Sequence, residues 1–240
     1  MKKSKFILFI ITIQLSLFSC NKNGNIVKPG AISAFTIVNA TVNSQPVVPD
    51  FSNSPVNYYS DAQNISFGSF FEYSIPSGNV PFNISQVTDT THKIFSGSFN
   101  LKPATIYSLF LAGQLTTASS TVDTLFTIDH PPYHSVTDSV AGVRFINLSP
   151  GSNPVSVDIQ GNAIGSEVES LAYKKITAFK AYMDTSEVPA SGQYVFEFRD
   201  AASGTLLTTF TYSNMERFDN VTIVFYGLPS NQSAFTVNDF

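Results

Sequence analysis

The chain has no tryptophan, one cysteine, three histidines and three methionines in 240 residues, and only 12% of it is charged. Each shortage removes a class of function. One cysteine cannot build an internal disulfide framework or a cysteine-based zinc site. Without tryptophan, the ring best suited to stacking on sugars is missing, and only tyrosine and phenylalanine could take that role. Lysine and arginine are too few, and too outnumbered by acids, for a nucleic-acid surface, which needs clustered cations. Leaving out Lys2, Lys3 and Lys5 at the start, ten basic residues face 17 acids. No G-x-S-x-G nucleophile elbow occurs. The longest apolar run, Phe6 to Phe18, has 13 residues broken by Thr12, Gln14 and Ser16. As a helix it would reach about 20 Å, short of a hydrocarbon core of roughly 30 Å.

What is present begins with that run. Three lysines, an apolar stretch and then Leu17-Phe18-Ser19-Cys20 read as a secretory signal, residues 1–19, to be set apart from the fold. Its end resembles the bacterial lipobox, with Leu at −3, a small residue at −1 and then Cys; Phe18 departs from the commonest form. The resemblance implies that Cys20 carries the lipid and becomes the first mature residue, anchored by several acyl chains. Asn21, rather than Asp, next to it resembles the outer-membrane sorting case. Residues 20–30, polar with Gly and Pro, read as a flexible tether.

The rest is built on a repeat. Phe35 to Phe51 and Val143 to Ile159 share five of 17 positions without a gap: Asn39/Asn147, Ser44/Ser152, Pro46/Pro154, Val47/Val155 and Asp50/Asp158. Chance would give about one, so an internal duplication is expected. Aromatic and β-branched residues suit a pleated surface. Short runs of period two, separated by turn signals such as Gly68, Pro76-Ser77-Gly78, Gly113 and Pro131-Pro132, indicate strands throughout. About seven per copy suggest a β-sandwich. Pro49 belongs on an edge strand or at a bulge. Residues 166–183 carry helical spacing at Ala172, Ile176, Phe179 and Met183, but within them Leu171 to Phe179 aligns with Ile65 to Tyr73, Phe179 falling on Tyr73, and that segment contains Gly68 and four aromatics. The repeat therefore favours β. Ala234 to Asn238 aligns with Leu125 to Asp129. The expected architecture is all-β: two tandem sandwiches at 31–133 and 140–240, joined by a linker at 134–139, each large enough to fold alone.

The second copy carries Val143, Arg144, Asn147, Ser149, Pro150, Val157 and Asp158. This order resembles a bacterial family filed as domain of unknown function 4397, whose pattern opens V-R-[VF]-[VI]-N-x-S-P and continues with a strand ending in V-D. Lys174 stands where the family has Gly; the first copy has Gly68 there, but Thr36 for the Arg. The resemblance implies tandem immunoglobulin-like sandwiches in secreted or lipid-anchored envelope proteins, often labelled adhesins. It implies no catalytic residues.

Candidate chemistry is sparse. In Asp129-His130-Pro131-Pro132-Tyr133-His134 the prolines rule out the helix that would place both imidazoles on one metal, so a linker is the plainer reading and no metal is expected. The acid pairs Glu167/Glu169, Asp184/Glu187 and Glu216/Asp219 fall in polar loops or on solvent-facing positions, where solvated surface is the plainer reading than a glycosidase pair. Asp50 and Asp158 suggest a hydrogen bond to a neighbouring turn. Asp89-Thr90-Thr91, Asp123-Thr124-Leu125 and Asp138-Ser139-Val140 resemble an O-glycosylation motif of some Gram-negative envelope proteins. The best binding hint is aromatic: Tyr58 and Tyr59 in a loop unique to the first copy, and Phe70-Phe71, one ring of which is expected at the surface. The reading is a non-enzymatic, cofactor-free envelope protein that binds a glycan or envelope protein. The alternative is an accessory subunit of an outer-membrane polysaccharide-uptake or envelope complex.

Overall fold

In the computed structural model the described residues are 31–51, 63–117, 120–135, 137–183, 193–213 and 215–239. Every regular element among them is a strand. The first half contains β1 (Ile32–Asn39), β2 (Val47–Asp50), β3 (Ser69–Pro76), β4 (Gly78–Gln86), β5 (Asp89–Leu101), β6 (Ile106–Ala112) and β7 (Asp123–Asp129). The second contains β8 (Val140–Asn147), β9 (Val155–Ile159), β10 (Val168–Leu171), β11 (Lys175–Ile176), β12 (Lys180–Met183), β13 (Tyr194–Asp200), β14 (Leu206–Tyr212), β15 (Asn220–Tyr226) and β16 (Ser233–Asn238).

Each half is a pair of sheets. In the first, β2-β4-β5 covers β3-β1-β6-β7; in the second, β10-β9-β13-β14 covers β11-β8-β15-β16, with β12 also on β8. Phe35, Ile37, Phe82, Ile84, Leu109 and Leu111 fill the first sandwich. Val143, Phe145, Val157, Phe196, Phe198 and Ile223 fill the second. The all-β reading of residues 166–183 holds, in three short pieces. Pro49 sits on β2, an edge. The strand β14 was not foreseen: Ser203-Gly204 signals the turn before it, but its Thr-rich LLTTFTY alternates apolar and polar residues only at Phe210-Thr211-Tyr212.

A third core joins the halves. Val38, Ala40, Phe110 and Ala112 pack with Ile146, Leu148, Val224 and Val237. The physical cause lies in β1, β6, β8 and β15, which are buried at nearly every position rather than at alternate ones. β1 runs parallel to β6, and β8 parallel to β15. Parallel central strands covered on both faces read as continuous apolar runs. Phe70 and Phe71 follow the same logic: one ring packs on the shared core and the other inside the first sandwich, so neither is the free surface ring expected. Residues 31–240 accordingly form a single compact unit.

The repeated asparagine explains part of the duplication. Asn39 Nδ2 donates to Ser44 Oγ (3.1 Å) and Ile65 O (3.1 Å), and its Oδ1 accepts the Thr41 N–H (3.1 Å). Asn147 does the same with Ser152 Oγ (3.2 Å), Leu171 O (3.0 Å) and the Ser149 N–H (3.0 Å). Both amides are fully buried, so every donor and acceptor must be met inside the protein.

Two alignments need correction by one residue. Tyr107 pairs with Ile128, and Val221 with Asn238. Asp129 is therefore the counterpart of Asp239, Phe126 of Thr236, and Ile128 of Asn238. A one-residue slip exchanges the two faces of a strand. Likewise Phe35 pairs with Tyr73 but Val143 with Lys180, so Phe179 is not the equivalent of Tyr73.

Gly68 and Lys174 occupy one turn in the two halves, with φ of 74° and 58°. An L side chain there costs roughly 1–2 kcal/mol. We expect Lys174→Gly to raise unfolding stability by about 0.5–1 kcal/mol, since its ion pair with Asp123 (3.8 Å) is exposed. Gly68→Ala should lower stability by about 2 kcal/mol, because its new Cβ would also lie 2.7 Å from the Tyr226 hydroxyl oxygen. Opposite shifts in thermal midpoint check both.

Candidate functional site

The feature that departs from a closed sandwich is the side of the first half between β5 and β7. Both are edge strands, β5 of the three-stranded sheet and β7 of the four-stranded one. Phe95, Gly97 and Phe99 on β5 lie opposite Ile84, Phe82 and Val80 of β4, which places them on the inward face. Phe126 and Ile128 on β7 point inward too, since Leu125 faces the shared core. At one end the sheets are tied by the Val122 N–H donating to Ile94 O at 3.2 Å. Beyond it they splay. Phe99 and Phe126 stack at 4.4 Å, Phe126 and Tyr107 at 5.4 Å, and Phe95 and Phe99 at 6.2 Å.

Phe126 nevertheless stays 37% exposed and Ile128 47%. Apolar side chains aimed between two sheets normally lose nearly all their exposure. The second half shows the cause. There the equivalent positions are Thr236 and Asn238, and β14 lies against β16 across the layer. Phenylalanine and isoleucine on β7 are too large for that approach and hold the margin open. Gly97 contributes as well: a Cβ there would come within 3.0 Å of Phe95 Cζ, so the missing side chain leaves the Phe95 ring room to lie over the strand.

At the tied end lies a cavity of about 300 Å³ lined by Gln86, Asp89, His92, Lys93, Ile94, Leu115, Thr116 and Ser120. Asp89 organises its rim. Its Oδ1 accepts from the Thr91 hydroxyl (2.7 Å) and its Oδ2 pairs with His92 Nδ1 (2.6 Å). These hydrogen bonds, Thr91 first, draw the Asp89 carboxyl down to about 2. Polar groups converging at one end of an apolar row are the usual ingredients of a binding site.

The residues singled out from sequence fare differently. Cys20, Tyr58, Tyr59, Asp184 and Glu187 lie outside the described residues. Asp129 turns inward to Arg144 (2.8 Å), and His134 Nε2 pairs with Asn220 Oδ1 (3.1 Å), so the two do not converge. Glu167 is not solvated surface. Its side chain is 5% exposed, and it accepts from Lys180 Nζ and the Tyr182 hydroxyl, both at 2.6 Å. Burial opposes its charge, but those two hydrogen bonds prevail and hold the carboxyl below its usual range. Asp219 caps its turn by accepting the Glu216 N–H at 3.0 Å. Asp158 accepts the Gly165 N–H of a neighbouring turn at 3.4 Å, as expected, and also Arg199 Nε at 3.4 Å. Phe126 and Ile128 escaped notice because the one-residue misalignment hid their contrast with Thr236 and Asn238.

Two solved structures show distant likeness. One is CBMbc, a family CBM26 module of Amy13K from Eubacterium rectale, in complex with maltoheptaose. Identity is 6% and the TM-score 0.27, covering 86% of this chain and 97% of that one. The other is the TIE protein of Bacillus anthracis, at 10% and 0.23, covering 82% and 34%. At these values neither carries a ligand or an activity to this chain. No curated protein matches it. A family model does match: Domain of unknown function (DUF4397), over residues 33–157, from β1 through most of β9. That span is just over half the chain, and this protein belongs to the DUF4397 family.

Proposed function

We propose that this is a lipid-anchored cell-envelope protein that acts without catalysis, as a binding or adhesion module, and that the β5–β7 margin is its binding surface. The leader and Cys20 support the anchor, and Asn21 supports the outer membrane. The observation that carries the surface is the exposure of Phe126 and Ile128 at inward-facing positions. The partner is an envelope protein or glycan that lays apolar side chains or sugar C–H faces on the ring row and reaches the polar cavity beside Asp89 and His92.

Phe126→Thr with Ile128→Asn copies the second half into the first. In co-sedimentation with isolated envelope membranes of the source bacterium, the double variant of residues 31–240 should bind at least about tenfold more weakly than the parent, as for loss of an apolar anchor. Its circular dichroism should be unchanged. Equal binding by the two proteins, or none by the parent, rules the surface out.

A further inference from the structure

The β5–β7 margin has a backbone edge as well as side chains, and among the described residues the edge of β5 is unguarded from Phe95 onward. Native edge strands are protected by brevity, proline, charge or bulges. β2 has Pro49 and four residues; β3 carries Glu72 and Pro76; β10 has Glu169 and four residues; β11 and β12 are short and bear Lys175 and Lys180. The β14 and β16 edges lie against one another. β5 runs for 13 residues; its charges, its register shifts and the Val122 tie fall before Phe95, and from Phe95 to Leu101 it holds no charge, no proline and no register shift. Ser96, Gly97 and Ser98 are exposed in succession, although Gly97 faces inward.

The sequence of that segment is Phe95-Ser96-Gly97-Ser98-Phe99, which reads the same in both directions about Gly97. An antiparallel strand pair about a two-fold axis sets each residue against its mirror position. Centred on Gly97, such a pair places Phe95 beside Phe99 of a second copy, Ser96 beside Ser98, and glycine against glycine. Both rings stay on the inward face, and the bare glycines leave them space. Because the axis is perpendicular to the sheet, both β7 strands end on the same side of the joined sheet. Phe126 and Ile128 of each copy then border one shared gap, which accounts for side chains that a lone sandwich leaves exposed.

We infer that the occupant of this margin is a second copy of the protein, joined β5 to β5 in a two-fold, self-complementary interface centred on Gly97. Such an interface is isologous and closes on itself. It joins two three-stranded sheets into one of six strands. This inference rests on the margin being a binding surface, and it identifies the partner as the protein itself.

Disulfide trapping in the full chain tests it. Residues directly opposite in an antiparallel pair have Cβ atoms about 4.5–5.5 Å apart, and same-position residues on the diagonal about 7–8 Å, beyond disulfide reach. Ser96→Cys and Ser98→Cys chains with different tags, co-expressed in cells and oxidised with copper phenanthroline, should give mixed covalent dimer at least tenfold above either variant alone. The parent chain, with Cys20 only, sets the baseline. No excess in the mixture, or equal dimer from either single variant, overturns the pairing. In that event, envelope binding that still depends on Phe126 and Ile128 leaves the surface standing with a different partner, whereas its absence removes both.

Discussion

Arg144→Ala is expected to lower the unfolding free energy by about 3–5 kcal/mol at pH 8, the cost of stranding buried charge. Arg144 Nη1 donates to Asp129 Oδ1 (2.8 Å), Nη2 to Asp239 Oδ1 (2.9 Å) and Nε to Thr222 Oγ1 (2.7 Å). The Thr222 hydroxyl in turn donates to Asp239. Its guanidinium also lies 4.6 Å from the centre of the Phe179 ring. All four polar side chains are buried. Asp129 ends the first half, whereas Arg144 and Asp239 belong to the second, so one guanidinium fastens the two together. Removing it leaves two carboxylates in a dry site.

The pH dependence has a definite sign. Burial raises the Asp239 carboxyl to about 6, against the pull of Arg144 and Thr222. The folded protein therefore binds this proton more tightly than the unfolded chain does. Its contribution to stability is full below about pH 4 and is lost as pH rises through about 6. Without Arg144 the charged form is less favourable still. The deficit of Arg144→Ala should be largest at pH 8 and shrink towards pH 4, measured by denaturant unfolding at each pH. A triple variant, Arg144→Met, Asp129→Asn and Asp239→Asn, should recover much of the loss, because the uncompensated charges are gone. A deficit independent of pH would show that packing of the arginine stem, not charge, is what matters.

Cutting the chain between the halves should have the largest effect. Fragments 31–133 and 137–240 are each expected to be insoluble or self-associated when expressed alone, and to form a soluble one-to-one complex when expressed together. Apart, the first exposes Val38, Ala40, Phe110 and Ala112, and the second Ile146, Leu148, Val224 and Val237. Those positions are fully buried in the intact protein. Contiguous apolar patches of this kind are not tolerated on monomers. The same sharing of a core predicts one cooperative thermal transition for residues 31–240, not two. Light scattering on the fragments and calorimetry on the whole decide the matter. A monomeric 31–133 with native-like circular dichroism, or two separate calorimetric peaks, would restore the expectation from length that each half folds unaided.

Much of this architecture was legible in residue order. Period-two alternation at Val80, Phe82 and Ile84, the turn at Gly68 and the proline on β2 are local signals, because side-chain direction within a strand depends only on position along it. The duplication settled the ambiguous stretch 166–183 in favour of β, and the buried amides of Asn39 and Asn147 show why those identities recur. What lay beyond the sequence was every matter of which face meets which. A continuous apolar run such as Phe110-Leu111-Ala112 fits a strand covered on both faces as well as one merely rich in apolar residues; only the stacking of the inner sheets distinguishes them. The pairing of Arg144 with Asp129 and Asp239, across 15 and 95 residues, needed the register of β7 and β16 to be right to the single residue. The opening at Phe126 and Ile128 needed it too. Both are long-range consequences of how the sheets pack, and no local pattern encodes the distance between two sheets.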